Sequence, residues 1–287
     1  MLSAIRILAP NPSVFTLEGT NTWVVGSGSS LVVDPGPNDP AHLDEVTAAA
    51  GRVSAILVTH DHPDHAPGAA ALAARTGAPI HAFRLSGSER LRDGQVIRAG
   101  ELALTALHTP GHTSDHMVFH EPVSGALFTG DAVLGRGTSF IDPPDGDLVA
   151  YLRSLRRMQE LRARTIYPGH GPVIVNAAAT LTEYVDHRRE REDQVLSAIA
   201  DGQVTVAAMV ERIYSEYPPD VRPLAARSVT AHLIKLESEG RVERTGQGDD
   251  ARYAVADPRS CARCGRPVRG RARLCGSCSL AVLQGGE

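Results

Sequence analysis

The run Thr-His-Asp-His-Pro-Asp-His occupies residues 59–65. It places three imidazoles and two carboxylates in one short stretch. Side chains of these types stay mostly at surfaces, and buried ones need partners, so packing is a poor account of the cluster. Imidazole nitrogens and carboxylate oxygens are donors for a divalent cation such as zinc, and iron and manganese accept the same set. In extended chain, residues two apart face the same way. His60 and His62 can therefore grip one ion, while Asp64 and His65 turn toward a second.

The flanking chain must hold that run in place. Residues 53–58, Val-Ser-Ala-Ile-Leu-Val, read as a buried strand, and residues 68–75 read as a helix. The cluster thus falls on a strand-to-helix loop, where sites are commonly built. Further donors stand at later strand ends. His112 follows the strand candidate 102–107, Asp131 follows 125–127, and His170 follows 165–167. Each lies beside Gly or Pro, and Gly permits close approach of backbone to an ion. A closed structural zinc site uses four ligands, often thiolates. Seven candidates without a cysteine among them point instead to an open hydrolytic site.

The pattern His-x-His-x-Asp-His, then His, then Asp, then His resembles the metallo-β-lactamase superfamily. The resemblance implies an αββα sandwich, two sheets faced by helices, with the site along one edge. It implies that His60, His62 and His112 hold one metal, that Asp64, His65 and His170 hold the other, and that Asp131 bridges them. It also implies that Asp34, in Val-Val-Asp-Pro-Gly, braces the first loop. The expected chemistry is hydrolysis by a hydroxide shared between two Zn2+ ions, with iron or manganese as substitutes. Asp64 and Asp131 are then catalytic as well as ligating. His116, four residues after His112, stands between two readings: a substrate contact or proton donor, or a structural hydrogen bond. His42, His81, His108, His120, His187 and His232 lack such context and read as surface or satisfied core residues.

With 287 residues, 42% hydrophobic and 22% charged, the composition is that of an ordinary globular enzyme of about two domains. Only 4% is aromatic, so the core must lean on Ala, Val and Leu. A net charge of −4 offers no global attraction to nucleic acid. The opening residues lack an apolar segment of signal-peptide length, and no run approaches a membrane span. A cytoplasmic protein without membrane association is expected.

Three segments follow. Residues 1–175 are the catalytic domain, opened by hairpin-like strands over 11–25. A loop rich in Gly, Pro and Asp over 135–146 walls the site, and a helix capped by Asp147 comes next. Residues 176–257 read as three helices (177–200, 206–214 after Thr205, and 223–238) and a hairpin of 241–244 with 252–255, the order of a winged helix. Residues 258–287 carry Cys261, Cys264, Cys275 and Cys278 in two C-x-x-C pairs, read as a zinc-ribbon-like tail holding one structural Zn2+ rather than two disulfides.

The winged tail, Leu17-Glu18-Gly19-Thr20-Asn21-Thr22 and Tyr167-Pro168-Gly169-His170-Gly171 resemble the lactamase-beta-2-like branch, which includes a mitochondrial endoribonuclease. That resemblance covers roughly residues 5–255 and implies cleavage of phosphodiester bonds in single-stranded RNA. Six arginines over 259–273, with no acidic residue among them, could hold phosphates. The third helix offers only Arg222, Arg227 and Lys235 against Glu237 and Glu239, poor for reading DNA. The winged domain is then left to pack against the enzyme or to form a homo-oligomer. The alternative is a glyoxalase II-like hydrolase of a small thioester or ester. A β-lactamase or an inert nucleic-acid-binding protein ranks lower, because the ligand set, Asp131 included, is intact.

Overall fold

The computed structural model describes residues 2–256. The four-cysteine site and the arginine run at 259–273 lie outside the described residues. Two compact units divide between His187 and Arg188. The division falls inside a helix, twelve residues past the boundary at 175 set by the change in composition.

The first unit holds two sheets. Strands β1 (Ala4–Leu8), β2 (Asn21–Ser27), β3 (Ser29–Val33), β4 (Arg52–Leu57), β5 (Ile80–Ala82) and β6 (Glu89–Arg90) lie side by side in chain order. Strands β7 (Val96–Ala99), β8 (Leu102–His108), β9 (Met117–Glu121), β10 (Ala126–Gly130) and β11 (Thr165–Pro168) form the second, in the order β11-β10-β9-β8-β7. Successive strand residues point to opposite faces. Trp23 and Val25, Leu31 and Val33, Ala55 and Leu57 therefore join Leu104, Ala106, Phe119 and Phe128 in one core shared by the two sheets. The alternate residues Val24, Val32 and Ile56, joined by Val53 from before a register shift in β4, face a second core with Leu43 and Val46 of α1 (Pro40–Ala50) and Leu72 of α2 (Gly68–Thr76). Each such buried aliphatic side chain stabilises the fold by about 1.5–3 kcal/mol.

Helix α3 (Leu148–Glu160) begins at Asp147, whose carboxylate accepts from the Ala150 amide at 2.9 Å. It buries Tyr151, Leu155 and Met158. Its Ser154 donates to Pro110 O at 2.7 Å, and Arg157 pairs with Asp93 at 2.7 Å, fixing the chain on both sides of β8. Residues 11–19 are not the strands expected from the sequence. They form a tight loop, with Asn11 bonded to Thr20, Ser13 bonded to Thr16 and an isolated bridge between Ser13 and Leu17. Polar side chains compete there with the sheet for backbone groups.

The second unit begins within α4 (Ala177–Ala200) and continues through α5 (Val206–Ile213), α6 (Arg222–Ser238) and the antiparallel pair β12 (Val242–Thr245) and β13 (Arg252–Val255). Val195, Met209, Val210, Val229, Leu233, Leu236 and Tyr253 form its core. Thr205 caps α5 by accepting from the Ala208 amide. Glu192 of α4 is only 9% exposed and pairs with Lys235 and Arg241. Lys235, itself buried, is therefore no surface cation. Among the described residues, no helix is long and apolar enough to cross a membrane.

Candidate metal centre

The loops after β3, β4, β8, β10 and β11 converge. Ligand-capable atoms of His60, His62, His112 and Asp131 lie within 4.8 Å of one another, and so do those of Asp64, His65, Asp131 and His170. Asp131 belongs to both groups. His42, His81, His108, His120, His187 and His232 belong to neither.

Asp34 stands at the end of β3 with φ 50° and is almost fully buried. Its Oδ1 accepts from the Thr59 amide at 2.8 Å. Its Oδ2 accepts from the Thr59 hydroxyl at 2.8 Å and from His65 Nδ1 at 2.9 Å. Because Thr59 spends its proton on Asp34, His60 Nδ1 is the donor in its 3.0 Å contact with Thr59 Oγ1. His112 Nδ1 donates to Phe140 O at 2.7 Å, and His170 Nδ1 donates to Gly19 O at 3.2 Å. Four rings are thus set in the tautomer that leaves Nε2 as a lone pair.

Those lone pairs face one another. His60 Nε2 is 2.9 Å and His112 Nε2 is 3.2 Å from His62 Nδ1, which can donate to only one of them. His65 Nε2 and His170 Nε2 are 3.2 Å apart, and each lies 3.3 Å from Asp131 Oδ1. Asp131 Oδ1 is buried without a hydrogen-bond partner. Asp64 Oδ2 adds a carboxylate 3.1 Å from His170 Nε2. Converging lone pairs and an orphaned carboxylate oxygen repel unless cations lie among them, so the residues fit a dinuclear metal site.

The electrostatics agree. Burial alone would lower the His170 pKa, but the Asp131 carboxylate, helped by Asp64, holds it up at about 9. His65 is likewise raised well above the usual histidine value against its burial, by Asp131 and Asp34. Burial would raise Asp131, yet His65 and His170 hold it well below the carboxylate range. In the other group burial dominates, and His60 and His112 are lowered and stay neutral. Protons on His65 and His170 occupy the place of a cation when none is bound.

Close approach sets two glycines. A Cβ on Gly169 would stand 2.7 Å from His65 Cε1 and 2.8 Å from Asp131 Oδ1. Gly130, at φ 47°, would thrust a Cβ to 2.5 Å from Thr59 Oγ1. The turn bearing His170 has supports that spacing did not reveal. Asn21 Nδ2 donates to Pro168 O at 2.9 Å and to Gly171 O at 2.8 Å, and Trp23 Nε1 donates to Pro168 O at 3.0 Å. Asn21, the polar first residue of a strand that is apolar from Trp23 to Val25, was the available signal.

His116 is not at the opening. It is fully buried, its Nδ1 contacts Thr109 Oγ1 at 3.1 Å, and its ring stacks on His60 at 5.1 Å between centroids. Burial, with the neighbouring His112 and His65 rings, holds its pKa well below the usual value. Its burial and its contact with Thr109 favour the structural hydrogen bond of the two readings. Beside His62, a cavity of about 190 Å3 is lined by Arg84, Thr113, Ser114 and three aspartates.

Similarity to known proteins follows the same division of the chain. The metallo-beta-lactamase superfamily profile matches residues 15–94 and 82–170. A profile for the beta-lactamase associated winged helix domain matches residues 205–251. A Drosophila melanogaster protein named beta-lactamase-like protein 2 homolog is 34% identical over 284 residues, covering 90% of this chain and 95% of its own. An Aspergillus chevalieri protein named atrochrysone carboxyl ACP thioesterase is 34% identical over 273 residues, covering 89% and 87%. The crystal structure of a metallo-beta-lactamase family protein from Thermus thermophilus superposes with a TM-score of 0.72 at 24% identity, covering 88% of this chain and 98% of that one. A profile spanning the two sheets, and relatives matched over nearly their whole length, make this chain a member of the metallo-beta-lactamase superfamily.

Proposed function

We propose that the protein is a dinuclear-metal hydrolase that cleaves phosphodiester bonds of single-stranded RNA. The observation that carries the hydrolase reading is the pair of four-donor groups sharing Asp131. His60, His62 and His112 would hold one divalent cation, Asp64, His65 and His170 the other, and Asp131 would touch both. Two such cations, zinc or iron or manganese, supply Lewis acidity and lower the pKa of a water. The chain's own work is orientation. Asp34 fixes His60 and His65, Phe140 O fixes His112, and Gly19 O fixes His170.

A polar substrate is favoured over an acyl chain by the wall next to His62, where every lining side chain is polar. An acyl chain laid against it would strip water from charged groups without replacing their hydrogen bonds. The wing of the second unit sets Glu243, Asp249 and Asp250 against Arg244 and Arg252, so strand binding is assigned to the catalytic unit.

A second reading, thioester hydrolysis, is favoured by the Aspergillus chevalieri thioesterase at 34% identity. The discriminating experiment offers metal-loaded protein a single-stranded RNA and, separately, an acyl thioester. RNA cleavage abolished both by a chelator and by Asp64→Ala supports the nuclease. Turnover of the thioester alone refutes it.

A further inference from the structure

Asp34 has a backbone conformation that needs support. Its φ of 50° lies in the left-handed region, which residues other than glycine occupy only where their surroundings hold them. Asp34 N donates to Leu57 O at 2.9 Å, which ties one end of the residue to β4. Asp34 O is tied by Thr22, a residue of β2. A carbonyl can only accept, so the Thr22 hydroxyl donates to it, at 2.6 Å, and its proton is committed there. His42 Nε2 lies 2.9 Å from the same hydroxyl oxygen and must therefore be the donor.

The three residues form a buried row. Thr22 is 0% exposed, His42 3% and Asp34 1%. In such surroundings each hydrogen bond is stronger than in water, and leaving one unmade is costly. The His42 amide donates to Asp39 Oδ1 at 2.8 Å, the cap of α1, so the ring is carried on a fixed helix end. The ring also lies against the turn that follows Asp34. A Cβ on Gly36 would stand 3.3 Å from His42 Nε2 and 3.5 Å from Thr22 Oγ1. Gly36 N donates to His65 O at 3.0 Å, while Asp34 Oδ2 accepts from His65 Nδ1. The turn over 34–36 thus meets His65 at its backbone and at its ring.

We propose that Thr22 and His42 are positioning residues for the metal centre. The row from His42 through Thr22 to Asp34 O fixes the turn, and the Asp34 carboxylate passes that constraint to the rings of His65 and His60. Neither residue belongs to the two donor groups. This role rests on the dinuclear centre and is independent of the substrate. Filling the core between α1 and the sheet would need only the bulk of His42, whereas positioning needs its N–H.

The test measures zinc affinity of the full-length protein by competition with a chromophoric chelator, and the ring Nδ1–H resonances of the zinc-loaded form. Thr22→Val and His42→Leu keep bulk and remove the polar group. Each should weaken zinc ~10-fold, the lower end of what losing an orienting partner costs. The Nδ1–H resonances of His65 and His60, whose partners depend on Asp34, should shift. Those of His112 and His170, bonded to Phe140 O and Gly19 O, should stay. Thr22→Ser and His42→Gln keep a hydroxyl and an N–H donor, and should restore both readouts. His42→Leu leaves Thr22 on Asp34 and carries the test if Thr22→Val does not fold. Unchanged affinity and unchanged His65 and His60 resonances in His42→Leu overturn the role, and two bound zinc ions would leave the centre standing. A shift of all four resonances together, not restored by His42→Gln, reduces His42 to packing and overturns the role as well. Unsubstituted protein that binds no zinc removes the centre and this role with it.

Discussion

Replacing Asp34 by Asn should change which nitrogen of two histidines carries the proton. The side chains are nearly isosteric, so packing is preserved. The Thr59 amide can only donate, so the carbonyl of the new amide side chain must keep the place of Oδ1, 2.8 Å from that backbone N–H. The new NH2 then takes the place of Oδ2, facing Thr59 Oγ1 and His65 Nδ1. Thr59 becomes an acceptor from that NH2 and turns its own proton toward His60 Nδ1, and His65 Nδ1 must accept as well. Both rings shift their proton to Nε2, the atom that faces the cation position. One histidine is lost from each donor group. Loss of such an orienting partner costs about 10–100-fold in metal affinity. That is about 1.4–2.7 kcal/mol for each ion. Competition with a chromophoric chelator measures the affinities, and long-range nitrogen–proton correlation spectra of the metal-free protein read the tautomers. Unchanged affinity for both ions, or Nδ1-protonated His60 and His65 in the variant, would refute the reasoning.

Four further outcomes are expected. His170, held at about 9, carries a proton at pH 7.5 that a bound cation must displace, so metal binding should release protons and tighten as pH rises toward 9; calorimetry in buffers of different ionisation enthalpy counts them. In the metal-free protein the same raised pKa stabilises the fold fully below the ordinary histidine value of about 6.5, and that contribution should fade as pH climbs through about 9, visible in urea midpoints. Gly169→Ala drives a Cβ against His65 and Asp131, should cost about 1–3 kcal/mol of fold stability, and should lower metal content toward one ion per chain; full content with an unshifted midpoint contradicts the close approach. Lys235→Ala leaves buried Glu192 with Arg241 alone, and should destabilise the second unit by about 2–3 kcal/mol, less than the ~3–5 kcal/mol for an ion with no partner left, while metal content stays at the unsubstituted value.

Much of the scaffold was readable from local pattern. The apolar run at 53–58 became β4, the Gly68 helix became α2, Asp147 and Thr205 capped α3 and α5, and the hairpin of the wing paired Val242 with Val255 as its spacing suggested. Such signals are local because strand alternation and helix caps involve neighbours a few residues apart. The opening loop misled for an equally local reason, since Ser13, Thr16 and Asn11 bond within the loop where apolar spacing suggested strands.

The identity and order of the seven candidate ligands were legible in the chain, because each stands just past a strand end beside Gly or Pro. Their chemistry was not. Which nitrogen of His60 or His65 is free depends on Asp34, a strand away, and on where the proton of Thr59 goes. The support of the His170 turn comes from Asn21 and Trp23, about 150 positions earlier. Glu192 of α4 meets Lys235 of α6, 43 positions later, only once the helices of the second unit pack. The polar wall of Arg84, Thr113 and Asp145 joins three separate loops. Residue types and short spacings write themselves into neighbouring positions, but a proton's location or a cavity's polarity depends on groups brought together only when distant segments pack.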